Sequence, residues 1–375
     1  MITVILGILG ALIGSFGNVV IYRLPAKKSV VWPRSSCPKC GHMIRPWENI
    51  PILSWLFLRG KCSKCKNPIS IRYPLIEALT AAGFVVLALR FPIETYGFAV
   101  FPLLAIFAML VMMSMIDIDH YILPDSLTLP ALIVAILGTL IYAPESGLPT
   151  LTQALAGGAI GAGIIALINR VGGLVLRRFA DTKERLWPIG MDQVNVAAVG
   201  GALGGWWLGL GVAAASFVAN LVARKPLRIP EQFLYAFWVI ALVFSVTNLI
   251  IRPIQSIAGS FAAAGIISVV GATFWWLRDI FSKQPETSQE DDDEPVAMGF
   301  GDVKLAAVLG AILGWQNLLV ALLLAFVIGA IGGVLGRLAG GSRMVPFGPY
   351  LAIGGMLALF VGQGLIGWYL GMLGV

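Results

Sequence analysis

Gly299-Phe300-Gly301-Asp302-Val303-Lys304 opens an apolar stretch that runs on to Leu338. About 20 apolar residues cross a bilayer as one helix, so 300–338 reads as a hairpin of two short membrane helices. Asp302 is the informative residue. An ionisable side chain where a chain enters a bilayer costs about 3 kcal/mol or more, which marks it as functional, with a partner to be sought. Asp117 supplies a candidate, at the end of another apolar run, in Met115-Ile116-Asp117-Ile118-Asp119-His120-Tyr121-Ile122-Leu123-Pro124-Asp125. Two membrane-bordering aspartates on different helices are the raw material of aspartyl-protease chemistry.

Composition agrees with a membrane setting. Of 375 residues, 58% are hydrophobic and 12% charged, where a soluble domain carries about 25% charged. Membrane-length apolar segments fall near 2–22, 74–91, 97–117, 126–143, 151–176, 231–251, 255–278 and 347–373, with hairpins in 192–223 and 300–338. The expected fold class is an all-α polytopic membrane protein of about twelve transmembrane helices. Eleven of the 26 lysines and arginines lie between Arg23 and Arg72, against one acid, Glu48. Short loops with that bias face the cytoplasm, a better reading than nucleic-acid binding. The Arg177-Arg178, Lys183 and Arg185 group, Arg224-Lys225-Arg228, and Arg337 with Arg343 fall on the same side, and that topology puts Asp117 and Asp302 at the cytoplasmic face. Met1 to Ile21 has no basic segment before it and reads as an uncleaved first span. Ser282 to Glu294 is acidic and polar, the composition of a disordered cytoplasmic linker.

All four cysteines sit in the basic loop, as Cys37-Pro38-Lys39-Cys40 and Cys62-Ser63-Lys64-Cys65. Two C-x2-C pairs at this spacing match a zinc-ribbon pattern. Four cysteines close the coordination shell, so such a metal organises the loop rather than catalyses; free or redox thiols are the other reading. His42 belongs to this loop, and His120 reads as an interfacial hydrogen-bonding residue. Asp125, after Pro124, reads as a helix N-cap. Asp119 reads as solvated or as supporting Asp117, and Lys304 as a lysine snorkelling to the interface.

An internal repeat is visible. Gly190 to Trp206 aligns with Gly299 to Trp315, matching at Gly190, Val194, Ala197, Ala198, Val199, Ala202, Gly205 and Trp206. Ala156-Gly157 and Gly163-Ile164-Ile165 echo Ala258-Gly259 and Gly265-Ile266-Ile267. A four-helix unit near 126–223 recurs near 231–338. Gln193 stands where Asp302 would be, and Asp192 where Gly301 would be, so the first copy is expected to be catalytically silent unless Asp192 substitutes.

These residues resemble the bacterial prepilin peptidases, bifunctional leader peptidases and N-methyltransferases. The resemblance is carried by Gly14-Ser15-Phe16-Gly17-Asn18 through Pro25, Trp47-Glu48-Asn49-Ile50-Pro51 through Leu56, Arg59-Gly60-Lys61-Cys62, Ile71-Arg72-Tyr73-Pro74-Leu75-Ile76-Glu77, the Asp117 segment, Met298 to Gly310, and Pro346-Phe347-Gly348-Pro349. It implies a core of eight membrane helices, which remain when 177–298 is removed. The expected organisation is a first span (1–22), a cytoplasmic zinc-binding, methyltransferase-associated loop (23–73), a core with the first catalytic aspartate (74–176), an inserted degenerate repeat with the acidic linker (177–298), and a core with the second aspartate (299–375).

The resemblance implies that Asp117 and Asp302 are the catalytic pair in a bacterial inner-membrane enzyme. Its substrates would be type IV prepilins or type II secretion pseudopilins, cut at the cytoplasmic membrane surface. S-adenosylmethionine would then methylate the new N-terminus. Glu48 is a candidate to orient an amine, or equally a salt-bridge partner for its basic neighbours. Rival classes are a twelve-helix transporter and an assembly scaffold with a dead site. Aspartates at the surface rather than at mid-span oppose the first, and an intact pair opposes the second.

Overall fold

The structure is a computed structural model that describes residues 1–142, 146–176, 189–224, 231–246, 252–281, 300–338 and 345–372. Gly299, the 282–294 linker, and Arg177, Arg178, Lys183, Arg185, Lys225, Arg228 and Arg343 lie outside the described residues.

The helices in chain order are α1 (Ile2–Arg23), α2 (Leu53–Phe57), α3 (Arg72–Arg90), α4 (Ile93–Tyr96), α5 (Val100–His120), α6 (Asp125–Gly138), α7 (Leu151–Leu176), α8 (Met191–Gly204), α9 (Trp206–Ala223), α10 (Glu231–Val246), α11 (Pro253–Phe281), α12 (Phe300–Leu338) and α13 (Gly348–Met372). Among the described residues there are no strands, only two isolated bridges in the cysteine loop. Among the same residues eight helices are long and apolar enough to cross a membrane; α6 and α10 are shorter apolar helices. The protein is an all-α polytopic membrane protein.

The chain divides into two compact units, 1–150 with 329–353, and 151–328 with 354–375. In the first, α5 forms the core, with Met113 and Ile116 fully buried and Leu103, Leu104 and Ile106 nearly so. The helix α1 lies against α3 through glycines. A Cβ on Gly10 would sit 2.9 Å from the Ala81 Cα, and one on Gly14 2.8 Å from the Glu77 Cα. Helices in lipid gain little from hydrophobicity and associate by such close backbone approach. Val4, Ile8, Leu12 and Phe16 stay exposed on the other face of α1, one residue per turn, as a lipid-facing stripe requires.

The second unit is built on the repeat. Gly205 (φ 85°, ψ 173°) separates α8 from α9, and its counterpart Gly314 (φ 70°, ψ 166°) breaks α12 into two helices. Both adopt backbone that only glycine takes readily, which makes the two hairpins read from the sequence. With α12 counted as two, the apolar helices among the described residues number eleven, and the more polar α8 makes twelve. The long helices α7 and α11 cross reciprocally: a Cβ on Gly163 would strike the Phe261 carbonyl, and one on Gly265 the Ala159 carbonyl. These are equivalent positions of the two copies, so the crossing has pseudo-twofold symmetry. The short helices are exchanged. Gly310 of α12 abuts Gly157 of α7, whereas Gly201 of α8 abuts Gly259 of α11. Each copy's short helix thus packs on the long helix of the other.

Candidate active site

Asp117 sits one turn from the C-terminal end of α5, which stops where Tyr121 takes a left-handed conformation (φ 57°) and donates its N–H to the Asp117 carbonyl at 2.9 Å. Its side chain is buried. Oδ2 accepts the backbone N–H of Gly348 at 2.9 Å, the first residue of α13, so the carboxylate meets the positive end of a helix. Gly348 was visible in the sequence only as part of Pro346-Phe347-Gly348-Pro349, with no role. A Cβ there would lie 2.8 Å from Asp117 Oδ2, so close that the carboxylate or the start of α13 would have to shift.

The neighbours of Asp117 are otherwise engaged. Asp119 pairs with Arg72, Nη1 to Oδ1 at 2.7 Å, and Arg72 Nη2 also donates to the Met115 carbonyl at 3.1 Å. Asp125 is not the N-cap: Pro124 occupies that position, and Asp125 is the first residue of α6. Its charge still favours the helix N-terminus. His120 is exposed.

Asp302, a residue of the second unit, lies in the first turn of α12 and is buried. Lys304 does not snorkel. It is 8% exposed, with Nζ 5.7 Å from the centroid of the Phe300 ring, so its charge is held inside by a cation–π contact. In the other copy Gln193 is 1% exposed and serves its own hairpin: Oε1 accepts the Gly190 N–H at 2.8 Å, and Nε2 donates to Ser216 Oγ of α9 at 3.3 Å. A carboxamide satisfied on both ends is a structural part.

The four cysteines converge. Their sulfurs lie within 4.8 Å of one another, Cys37 to Cys65 at 3.8 Å and Cys40 to Cys62 at 4.0 Å. A tetrahedral site with metal–sulfur bonds of about 2.3 Å has S–S edges of about 3.8 Å, so the donor set fits a metal. Each pair is an equivalent knuckle. Cys37 N–H donates to the His42 carbonyl and Gly41 N–H to the Cys37 carbonyl; Cys62 N–H donates to Asn67 and Lys66 N–H to Cys62, all at 2.9–3.0 Å. Backbone N–H groups of Cys40 and Lys39 pull the Cys37 thiol down to about 6, and those of Cys65 and Lys64 lower Cys62, favouring thiolate at these two positions, while Cys65 is pushed up to about 11.

Glu48 joins the two knuckles. It accepts the Arg45 N–H at 3.0 Å and lies 3.1 Å from His42 Nε2. The Arg45 amide first, then the Ser63 hydroxyl and His42, hold its carboxyl at about 2. Glu77, whose position in Ile71 to Glu77 gave no hint of a role, anchors the loop to α3 by accepting the Ile52 N–H at 2.7 Å.

A model of the bacterial peptidase A24 N-terminal domain matches residues 8–91, and one of the type IV leader peptidase family matches twice, at 104–223 and 225–334. The chain belongs to the type IV leader peptidase family. Proteins named prepilin leader peptidase/N-methyltransferase are similar to it. The one from Aeromonas salmonicida is 30% identical over 96% of this chain and 90% of its own, that from Pseudomonas aeruginosa 30% over 97% and 91%, and that from Myxococcus xanthus 39% over 56% and 59%. No solved structure matches the chain. As a leader peptidase with a doubled family segment, the chain carries two helices of the Asp302 type, α8 and α12. Only α12 has an aspartate at that position and packs on α7.

Proposed function

We propose that this protein is a membrane aspartyl endopeptidase in which Asp117 and Asp302 form the catalytic pair. It removes the leader of type IV prepilins or type II secretion pseudopilins at the cytoplasmic face of the bacterial inner membrane, then methylates the new N-terminus. The observation that carries the reading is the buried Asp117 carboxylate at the end of a membrane helix, fixed by the Gly348 amide, in a chain of this family. Two carboxylates that share a site cannot both ionise easily and split one proton. One activates a water as general base, and the other protonates the leaving amine. Both aspartates belong to terminal turns rather than to mid-span, which favours cleavage at the membrane surface over transport.

The exchange of short helices supports the same assignment. With α12 rather than α8 against α7, the aspartate copy holds the place that the directly following helix would hold in an unduplicated chain, and 177–298 is an insertion. Asp192→Asn is therefore expected to leave cleavage intact; loss of cleavage in that variant would restore the first copy as catalytic.

We infer that zinc occupies the four-cysteine site and organises the loop, since a closed thiolate tetrahedron leaves no open position for chemistry. The Cys37→Ser, Cys62→Ser double variant is expected to lose its metal, measured by elemental analysis of purified protein. Unchanged metal content would refute the site. S-adenosylmethionine is the expected methyl donor, as the relatives' name implies a methyltransferase. The reading as a whole is tested by following a prepilin-like membrane peptide by mass: cleavage, then a gain of about one CH2 only when the donor is present. No cleavage by native protein would overturn it.

A further inference from the structure

A cleft of about 660 Å3 opens in the first unit where α1, α3 and α5 end together, inside the range of roughly 300–1,000 Å3 typical of small-molecule sites. Tyr22 and Tyr73 line it beside Lys28, Arg72, Asp119 and His120. Lys28 Nζ stands 5.8 Å from the centroid of the Tyr22 ring. Arg72 is locked by Asp119 and the Met115 carbonyl, so cation and carboxylate form a fixed pair in the wall. Asp119 and His120 follow Asp117 by two and three residues, an axial rise of about 3–4.5 Å along the helix. A ligand in the cleft therefore lies within a few ångströms of the end of α5, where the proposed catalytic pair would release a new amine.

We propose that this cleft holds the methyl donor, a nucleoside sulfonium. The inference rests on the reading of the protein as a peptidase that also N-methylates. The match is one of chemical groups. An aromatic ring suits a purine face or a sulfonium charge. Lys28 and Arg72 suit an α-carboxylate. A carboxylate has about four lone-pair sites, of which Arg72 takes one on Asp119, so Asp119 has capacity for a ribose hydroxyl. A phospholipid phosphate would use the same cations but would meet the Asp119 charge. The bound donor supplies a methyl carbon on positive sulfur: the neutral amine's lone pair takes the carbon, the sulfur keeps the C–S electron pair, and the surplus proton passes to water. His120, at the rim, is placed to receive that proton first.

The test is binding of labelled S-adenosylmethionine to the purified full chain by equilibrium dialysis, without any peptide substrate. Asp119→Ala removes the ribose acceptor, and Ala26→Trp fills the cleft from its exposed turn. Metal content and gel filtration report that each is folded. The native protein and Asp302→Asn are expected to bind alike, and both cleft variants to bind about ten-fold more weakly or worse. If native protein binds and both folded cleft variants bind as tightly, the cleft assignment falls while the methyltransferase reading stands. If native protein neither binds the donor nor methylates the cleaved peptide, the methyltransferase reading falls and the cleft assignment with it. A phospholipid that copurifies with native protein, is lost in Ala26→Trp and is not displaced by the donor would overturn the proposal in favour of a lipid site.

Discussion

Asp302→Asn is expected to lower kcat for leader cleavage by roughly 10²–10⁴-fold, the range that general acid–base groups contribute, with the protein still folded and its metal retained. The substitution keeps the shape of a buried residue and removes only its ability to exchange a proton. Asp117→Asn is expected to do the same. The further step is that Gln193→Asp, added to Asp302→Asn, does not restore cleavage. Gln193 is spent on the Gly190 amide and Ser216 within its own copy, and α8 packs on α11 rather than on α7. Cleavage of a prepilin-like peptide by purified Asp302→Asn at the native rate would sink the pair. Rescue by Gln193→Asp would mean that α8 and α12 are interchangeable, against the packing.

Much of this was legible in the sequence because bilayers and thiolate metals impose strong rules. Apolar runs of about 20 residues have one outcome in lipid, where every backbone group must be satisfied inside the helix. The two C-x2-C pairs predicted a cluster, and the sulfurs do converge. The duplication was visible in aligned glycines, and Gly205 and Gly314 break their hairpins at equivalent positions. Helix partners were not legible. Glycine- and alanine-rich faces approach any similar face closely, so nothing in Gly157 or Gly259 announces whether it meets Gly201 or Gly310. The copies could have folded each on itself, and the exchange is a tertiary choice. Lys304 was misread because a lysine near a helix start usually reaches for water; Phe300, one turn back, offers a ring instead. Asp125 was misread by one residue, since Pro124 already provides the extended conformation that an N-cap needs.

Gly348→Ala is the smallest change with the largest expected consequence outside the aspartates. The added Cβ would stand 2.8 Å from Asp117 Oδ2, 3.3 Å from its Cγ and 3.3 Å from Leu123 Cδ2. Either the carboxylate rotates off the Gly348 amide or the start of α13 moves away from α5, and both lose the 2.9 Å bond that fixes Asp117. Misplacing a reacting group by about 1 Å can cost about 10²-fold in rate, so kcat is expected to fall by about that factor while KM, set by the rest of the bound peptide, changes little. Gly364→Ala in the same helix is the control: a Cβ there meets nothing within 4 Å, and alanine favours helix over glycine, so cleavage should continue at the native rate. Equal rates for the two variants would show that Asp117 needs no fixed orientation, and the role given to the Gly348 amide would fall. A selective loss in Gly348→Ala would make Pro346-Phe347-Gly348-Pro349 a positioning element for the first aspartate, with glycine required there because the carboxylate already fills the space of a side chain.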